Sequence, residues 1–207
     1  MSLPGFLHAR EHLAPQVQRD LLAAIAGVIA VAPLYTPTMP RSGRPMSVRM
    51  TNCGPLGWVT DKARGYRYQA MHPDTATAWP DMPPMLLELW RAVSGMKVLP
   101  EACLVNYYGA DAKLGLHQDM DEDARSCPVV SVSLGDDAWF RLGGLKRTDP
   151  TERLRLRSGD VVVLGGAARM AFHGVDGILA DTSDLLRTGG FPDGGRINLT
   201  LRRVTKA

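Results

Sequence analysis

ACLVNYYGADAKLGLHQDMDEDARSCPVVSVSLG, residues 102–135, is the stretch on which the fold turns. It begins and ends in short runs rich in β-branched and aromatic residues. Between them stand turn signals, from Gly109 and Asp111 to the acidic cluster around Asp119. Short apolar runs bounded by such residues read as strands. The same rhythm continues to the C-terminus and predicts strands at 102–108, 128–134, 138–142, 153–156, 161–164, 169–172 and 196–204. Many short strands without helices between them imply a sandwich, a jelly roll or a barrel.

Working outward, the N-terminal part is helical. Val17, Leu21, Ile25, Val28 and Ile29 follow helical spacing and predict a helix over 15–30. Pro33, Pro37 and Pro40 end it. Residues 41–70, rich in Gly, Arg and aromatics, read as hairpins and loops rather than a core layer. A second helix is predicted with Asp81 as its N-cap, Pro83 and Pro84 in its first turn and Gly95 as its stop. Met85, Leu86, Leu89, Trp90 and Val93 give it an apolar side. The Gly/Asp stretch 176–195 reads as a surface excursion. The class is mainly β with flanking helices, in one domain of 207 residues without internal repeats.

Composition narrows the functions. With 45% hydrophobic and 22% charged residues, the chain is an ordinary globular protein rather than a disordered or fibrous one. The net charge is only +3, yet two segments are locally basic. Residues 36–69 carry Arg41, Arg44, Arg49, Lys62, Arg64 and Arg67 against Asp61. Residues 141–157 carry six basic residues against Asp149 and Glu152. Such surpluses suit a polyanionic partner, or simply solvated loops. Three cysteines (Cys53, Cys103, Cys127) without a C-x-x-C pair fit free thiols in a reducing compartment. No signal-peptide pattern stands at the N-terminus, and the apolar run 21–32 is too short to span a bilayer. A cytoplasmic protein without a membrane partner is expected.

His117 and Asp119 are separated by one residue, so an extended chain points both to the same side. His173 follows at the end of the strand predicted at 169–172. Two His and a carboxylate form the facial triad of non-haem Fe(II) oxygenases, which leaves positions open for a cosubstrate and O₂. They also suit zinc, or stand as unrelated surface residues. In Arg196-Ile-Asn-Leu-Thr-Leu-Arg202, Arg196, Asn198, Thr200 and Arg202 share one face. That face is either the wet side of an edge strand or a cradle for a dicarboxylate, since Arg binds carboxylates bidentately. Asn106 and Tyr108 add donors on a second strand. The two strands together match a ligand such as 2-oxoglutarate.

The ordered motifs make a resemblance specific. Asn106-x-Tyr108, Lys113-Leu-Gly-Leu-His117-Gln-Asp119-Met-Asp121-Glu122, Val130-Ser-Val-Ser-Leu-Gly135, Gly143-Gly-Leu-Lys-Arg147, Gly159-Asp-Val-Val-Val163, His173-Gly174 and Arg196-x-Asn-Leu-Thr-x-Arg202 occur in sequence. Met46-Ser-Val, Thr51-Asn-Cys-Gly, Leu56-Gly-Trp58 and Gly65-Tyr-x-Tyr68 precede them. The string resembles the bacterial AlkB family of alkylation-repair dioxygenases. The resemblance implies a double-stranded β-helix (jelly-roll) fold, with residues 1–35 a helical extension, 36–80 a nucleotide-recognition lid and 100–205 the catalytic core. It implies Fe(II) on His117, Asp119 and His173, which are also the catalytic set. It implies 2-oxoglutarate on Asn106, Tyr108, Arg196, Asn198 and Arg202, with Arg202 at the carboxylate near the iron and Arg196 at the distal one.

The resemblance further implies that an alkylated base, flipped out of its stack, lies between Trp58 and His117, with Tyr66, Tyr68, Asp121 and Arg147 as further contacts. The implied reaction consumes 2-oxoglutarate and O₂, gives succinate and CO₂, and releases the methyl group as formaldehyde. Alkylated DNA, preferably single-stranded, is the expected partner of a monomer, with RNA as an alternative. Arg44-Pro45, Leu164 and Ala171 depart from the family pattern and bear on lesion preference. Three other readings remain: the same chemistry on RNA, tRNA or a protein side chain; a non-catalytic binding jelly roll; and a zinc hydrolase, which leaves the arginine column without a purpose.

Overall fold

The structure, a computed structural model, describes residues 3–206. Strands β1 (Phe6–Ala9), β2 (Val48–Cys53), β5 (Ala102–Tyr108), β7 (Val129–Gly135), β10 (Val161–Leu164) and β12 (Arg196–Arg202) form one antiparallel sheet, in the order β1-β10-β7-β12-β5-β2. Strands β6 (Leu114–His117), β8 (Asp137–Leu142), β9 (Glu152–Leu156) and β11 (His173–Leu179) form a second, in the order β6-β11-β8-β9. From 102 onward the chain passes repeatedly from one sheet to the other, with only the β8–β9 hairpin staying within one, as in a jelly roll. A separate hairpin, β3 (Gly57–Asp61) with β4 (Gly65–Gln69), stands in front.

β12 shows how the sequence specifies the layers. Ile197, Leu199 and Leu201 are fully buried on the outer face of the large sheet. They join a core with Leu21, Leu22 and Ile25 of α1 (Pro15–Val31), and with Leu86 and Trp90 of α2 (Pro84–Ser94). Each such side chain contributes roughly 1.5–3 kcal/mol by leaving water. The alternate residues of β12 face the space between the sheets, beside a second core containing Met50, Leu104, Phe140, Leu156 and Leu164. β12 lies between β7 and β5, so it is not an edge strand and its polar face is not in water.

Several expectations need correction. α2 begins at Pro84 with Pro83 as cap residue, so Asp81 does not cap it. A residue before proline is kept out of helical conformation, and two successive prolines delay the helix to the second. Gly95 does end it, at a φ of 69°. Residues 48–53 are the last strand of the large sheet, paired with β5, rather than loop. Helices cover one face and the inter-sheet space the other, so no polar alternation marks it. Residues 169–172 are not a strand: a 3₁₀ turn, Gly166–Met170, occupies the place, and His173 begins β11 instead of ending a strand. The stretch 176–195 is only partly an excursion, because β11 runs to Leu179 and Leu186 of the short helix α3 (Leu185–Thr188) is fully buried. The second basic run is largely neutralised: Arg141 and Arg153 pair with Asp176, Arg155 with Asp137 and Arg157 with Glu11. No helix of the described residues is long and apolar enough to cross a membrane.

Candidate metal and cosubstrate site

β6 and β11 place the two histidines. His117 and His173 are direct partners across these strands, and their rings lie 4.5 Å apart between centroids. Asp119, two residues past the end of β6, turns inward and is buried. Its Oδ1 is 3.8 Å from His117 Nε2 and its Oδ2 is 3.7 Å from His173 Nε2. Each His Nδ1 faces a main-chain carbonyl: His117 that of Gly115 at 2.9 Å, His173 that of Ala171 at 3.0 Å. A proton on Nδ1 satisfies those contacts and leaves both Nε2 lone pairs aimed at one point. Among the described residues, one ligand atom from each of the three side chains lies within 4.8 Å of the others.

The electrostatics suit a dication. Burial, then the neighbouring His117, pushes His173 down to about 4, so it is neutral near pH 7. Burial alone would raise the Asp119 carboxyl. Arg202, followed by the two histidines, outweighs it and holds Asp119 well below the usual carboxylate range. Arg202 Nη2 donates to Asp119 Oδ1 at 2.7 Å, while Asp119 Oδ2 has no hydrogen-bond partner.

A cavity of about 800 Å³ opens from this cluster between the sheets. Its wall carries the polar column anticipated on β12 and β5. Arg196 is 1% exposed; it donates to Ser133 Oγ at 2.6 Å and to the Asp136 carbonyl at 3.2 Å. Burial lowers its guanidinium to about 10 and raises the Tyr108 phenol to about 12, so both stay protonated at neutral pH. Asn198 donates to Ser131 Oγ at 2.7 Å and accepts from Thr200 at 2.9 Å. Asn106 Oδ1, Arg196 Nε and Arg202 Nε are buried without hydrogen-bond partners. A buried donor or acceptor left unmet costs roughly 1–3 kcal/mol, and all three of these residues line the one cavity.

The 2OG-Fe(II) oxygenase superfamily model matches residues 3–202. The chain belongs to that superfamily. Within it, the chain groups with the AlkB dioxygenases. It is 51% identical to an alpha-ketoglutarate-dependent dioxygenase AlkB homolog of Caulobacter vibrioides, over 99% of this chain and 90% of the relative. It is 43% identical to the alpha-ketoglutarate-dependent dioxygenase AlkB of Escherichia coli, over 90% of this chain and 85% of the relative. The solved structure of OsALKBH1 superposes with a TM-score of 0.81 at 31% identity, covering 98% of each chain.

This oxygenase therefore depends on Fe(II), 2-oxoglutarate and O₂, and its own residues fit them. Two imidazole Nε2 atoms and an unpartnered carboxylate oxygen are the donors of an iron facial triad. Two buried guanidinium groups on one cavity wall, that of Arg196 with an unpartnered Nε, suit a dianionic acid. The arginine column is thus explained, which the zinc-hydrolase reading could not do.

At the mouth of the oxygenase cavity, Trp58 Nε1 donates to Asp121 Oδ2 at 2.7 Å, and the Trp58 ring stacks on Tyr66 at 5.5 Å. Arg147 donates to the Leu116 carbonyl at 2.8 Å. These four residues and Arg41 line the opening. Tyr68, expected at the base, is placed elsewhere. Its hydroxyl donates to Glu122 and accepts from Arg202, and it is not part of the cavity wall. Trp58 and Tyr68 are cross-strand partners, but the hydroxyl of Tyr68 reaches past the cavity to the charged groups behind it. Two charged residues that the sequence does not single out also contact the site: Glu122, which ends a quoted motif, and Arg169, which lies in the segment predicted as a strand.

Proposed function

We propose that this dioxygenase removes alkyl groups from N-alkylated bases of the 1-methyladenine and 3-methylcytosine type in DNA, a direct-reversal repair. His117, Asp119 and His173 hold the iron. Arg202 takes the 2-oxoglutarate carboxylate nearer the metal. Arg196 takes the distal one, with Tyr108, Asn106 and Asn198 completing the cradle. When bound, iron with 2-oxoglutarate and O₂ supplies the oxidation that hydroxylates the N-methyl carbon, leaving a hemiaminal that releases formaldehyde.

The carrying observation is the mouth, where an aromatic face and a carboxylate are joined by one hydrogen bond, Trp58 to Asp121. An N-methylated adenine or cytosine ring is cationic, so it gains from stacking on Trp58 and from the nearby charge of Asp121. His117, half-buried, lines the same opening and bounds the slot. Arg41, Arg147 and the exposed Arg44 and Arg64 supply phosphate contacts. In this reading residues 36–80 are the lid, 100–205 the core and 1–35 a bracing extension, although β2 within the lid range also completes the large sheet. The three cysteines are free and buried, in keeping with a monomer acting in a reducing cytoplasm.

The test is an anaerobic incubation with Fe(II), 2-oxoglutarate and a single-stranded oligonucleotide bearing 1-methyladenine, followed by admission of air. The expected result is loss of one methyl mass with release of formaldehyde, abolished by His173→Ala. Turnover of 2-oxoglutarate with an untouched DNA base but a demethylated RNA base would move the substrate to RNA. No turnover on either nucleic acid would overturn the reading.

A further inference from the structure

Behind the cavity wall lie two charged side chains that do not face it, Glu122 and Arg169, both almost fully buried. Arg169 distributes its three nitrogens over three acceptors. Nε donates to the Cys127 carbonyl at 3.0 Å, Nη1 to the Asp119 carbonyl at 2.8 Å and Nη2 to Glu122 Oε2 at 2.9 Å. The other oxygen of Glu122 accepts from the Tyr68 hydroxyl and lies 3.5 Å from Arg202 Nε. Tyr68 in turn accepts from Arg202 Nη1 at 3.2 Å. One buried pair thus grips the backbone of Asp119 on one side and the head group of Arg202 on the other.

A buried ion pair is weak evidence for stability, because desolvating two charges offsets much of their attraction. The bonding pattern points to a different use. We propose that Glu122 and Arg169 are positioning residues for the iron and 2-oxoglutarate site: Arg169 fixes the Asp119 backbone, and Glu122 sets Arg202 and balances its charge beside the metal. The inference rests on the reading of Asp119 as an iron ligand and of Arg202 as a cosubstrate contact. Without the Glu122 charge, Arg169 and Arg202 add uncompensated positive charge close to a dication, which weakens metal binding. Loss of the partners that orient a ligand commonly costs about 10- to 100-fold in metal affinity.

Glu122→Gln keeps the shape and removes the charge. Arg169→Lys keeps the charge and cannot reach three acceptors. Tyr68→Phe removes only a hydroxyl. The metal-free full-length protein and each variant are titrated with Co(II), read by visible absorption, with thermal melts to establish that each variant is folded. Calorimetry of the Co(II)-loaded forms gives the 2-oxoglutarate Kd. Folded Glu122→Gln and Arg169→Lys should bind Co(II) about 10- to 100-fold more weakly with an altered band, and Tyr68→Phe should raise the 2-oxoglutarate Kd several-fold. A folded Glu122→Gln or Arg169→Lys with wild-type Co(II) affinity and spectrum overturns the inference alone. If neither folds, an unchanged 2-oxoglutarate Kd in Tyr68→Phe overturns it. Wild-type protein that binds no Co(II), or binds it equally after His173→Ala, overturns the metal-site reading and this inference with it.

Discussion

Arg202 and Asp119 are 83 residues apart in the chain, and Arg202 Nη2 donates to Asp119 Oδ1 at 2.7 Å. This bond assigns the two carboxylate oxygens different work. Oδ1 is held by the guanidinium and lies 3.8 Å from His117 Nε2, while Oδ2 has no hydrogen-bond partner and lies 3.7 Å from His173 Nε2. It also holds the Arg202 head group at the cavity wall, with its Nε turned toward Glu122 Oε1 at 3.5 Å.

Arg202→Lys retains the charge and loses the fork that serves Asp119 and Tyr68 together. A charge-assisted hydrogen bond is worth about 2 kcal/mol, or roughly 30-fold in a dissociation constant. The 2-oxoglutarate Kd of the metal-loaded variant should rise by about that factor, as calorimetry would measure. An unchanged Kd would place the cosubstrate away from Arg202.

Trp58→Ala removes both the stacking face and the donor to Asp121. Stacking a base on an aromatic ring is worth about 1–3 kcal/mol. Fluorescence anisotropy should show binding of a 1-methyladenine oligonucleotide weakened by roughly 5- to 150-fold. The 2-oxoglutarate Kd should stay constant. Wild-type oligonucleotide affinity would put the base elsewhere.

Gly174 follows His173 for a steric reason. A Cβ there would sit 2.7 Å from the Leu114 carbonyl oxygen and 3.0 Å from the backbone of Gly115. Gly174→Ala must therefore push β11 away from β6, the two strands that pair His173 with His117. Overpacking of this kind costs about 1–3 kcal/mol. Denaturant melts should show that loss, and Co(II) affinity should fall with it; a variant matching wild type in both would mean that the strands adjust freely.

Glu101 secures the chain just beyond Arg202. It accepts from the Val204 and Thr205 main-chain N–H groups at 2.9 and 2.7 Å and from the Thr205 hydroxyl at 2.8 Å. Burial would raise its carboxyl, but the Thr205 and Val204 bonds prevail and lower it. With the folded value below the unfolded one, the native state releases this proton more readily. Its stabilisation is full above the unfolded carboxylate pKa and disappears as pH falls through the folded value. Glu101→Gln should lower Tm at pH 7 and narrow the gap to wild type under acid conditions. A constant gap from pH 7 to pH 3 would contradict this.

Period-two alternation in β12 and the short runs from 102 onward carried the jelly-roll class, because strand geometry acts between neighbours in the chain. The His117, Asp119 and His173 set and the Arg196, Asn198, Arg202 column were legible as types of chemistry in a fixed order. What remained hidden depended on distant partners. Residues 48–53 form a sheet strand because helices and cavity cover both faces, which leaves no alternation to read. Arg169 looks like part of an apolar strand until a Gly-led turn carries it to Asp119 and Glu122. Tyr68 lies close in sequence to Trp58 and Tyr66 at the cavity mouth, yet its hydroxyl answers to Glu122 and Arg202. The sequence by itself determined the layers and the inventory of ligand groups, since both follow from local periodicity and side-chain chemistry. Only the tertiary structure decided which charges pair, because a buried charge is settled by whatever the fold brings within hydrogen-bond reach.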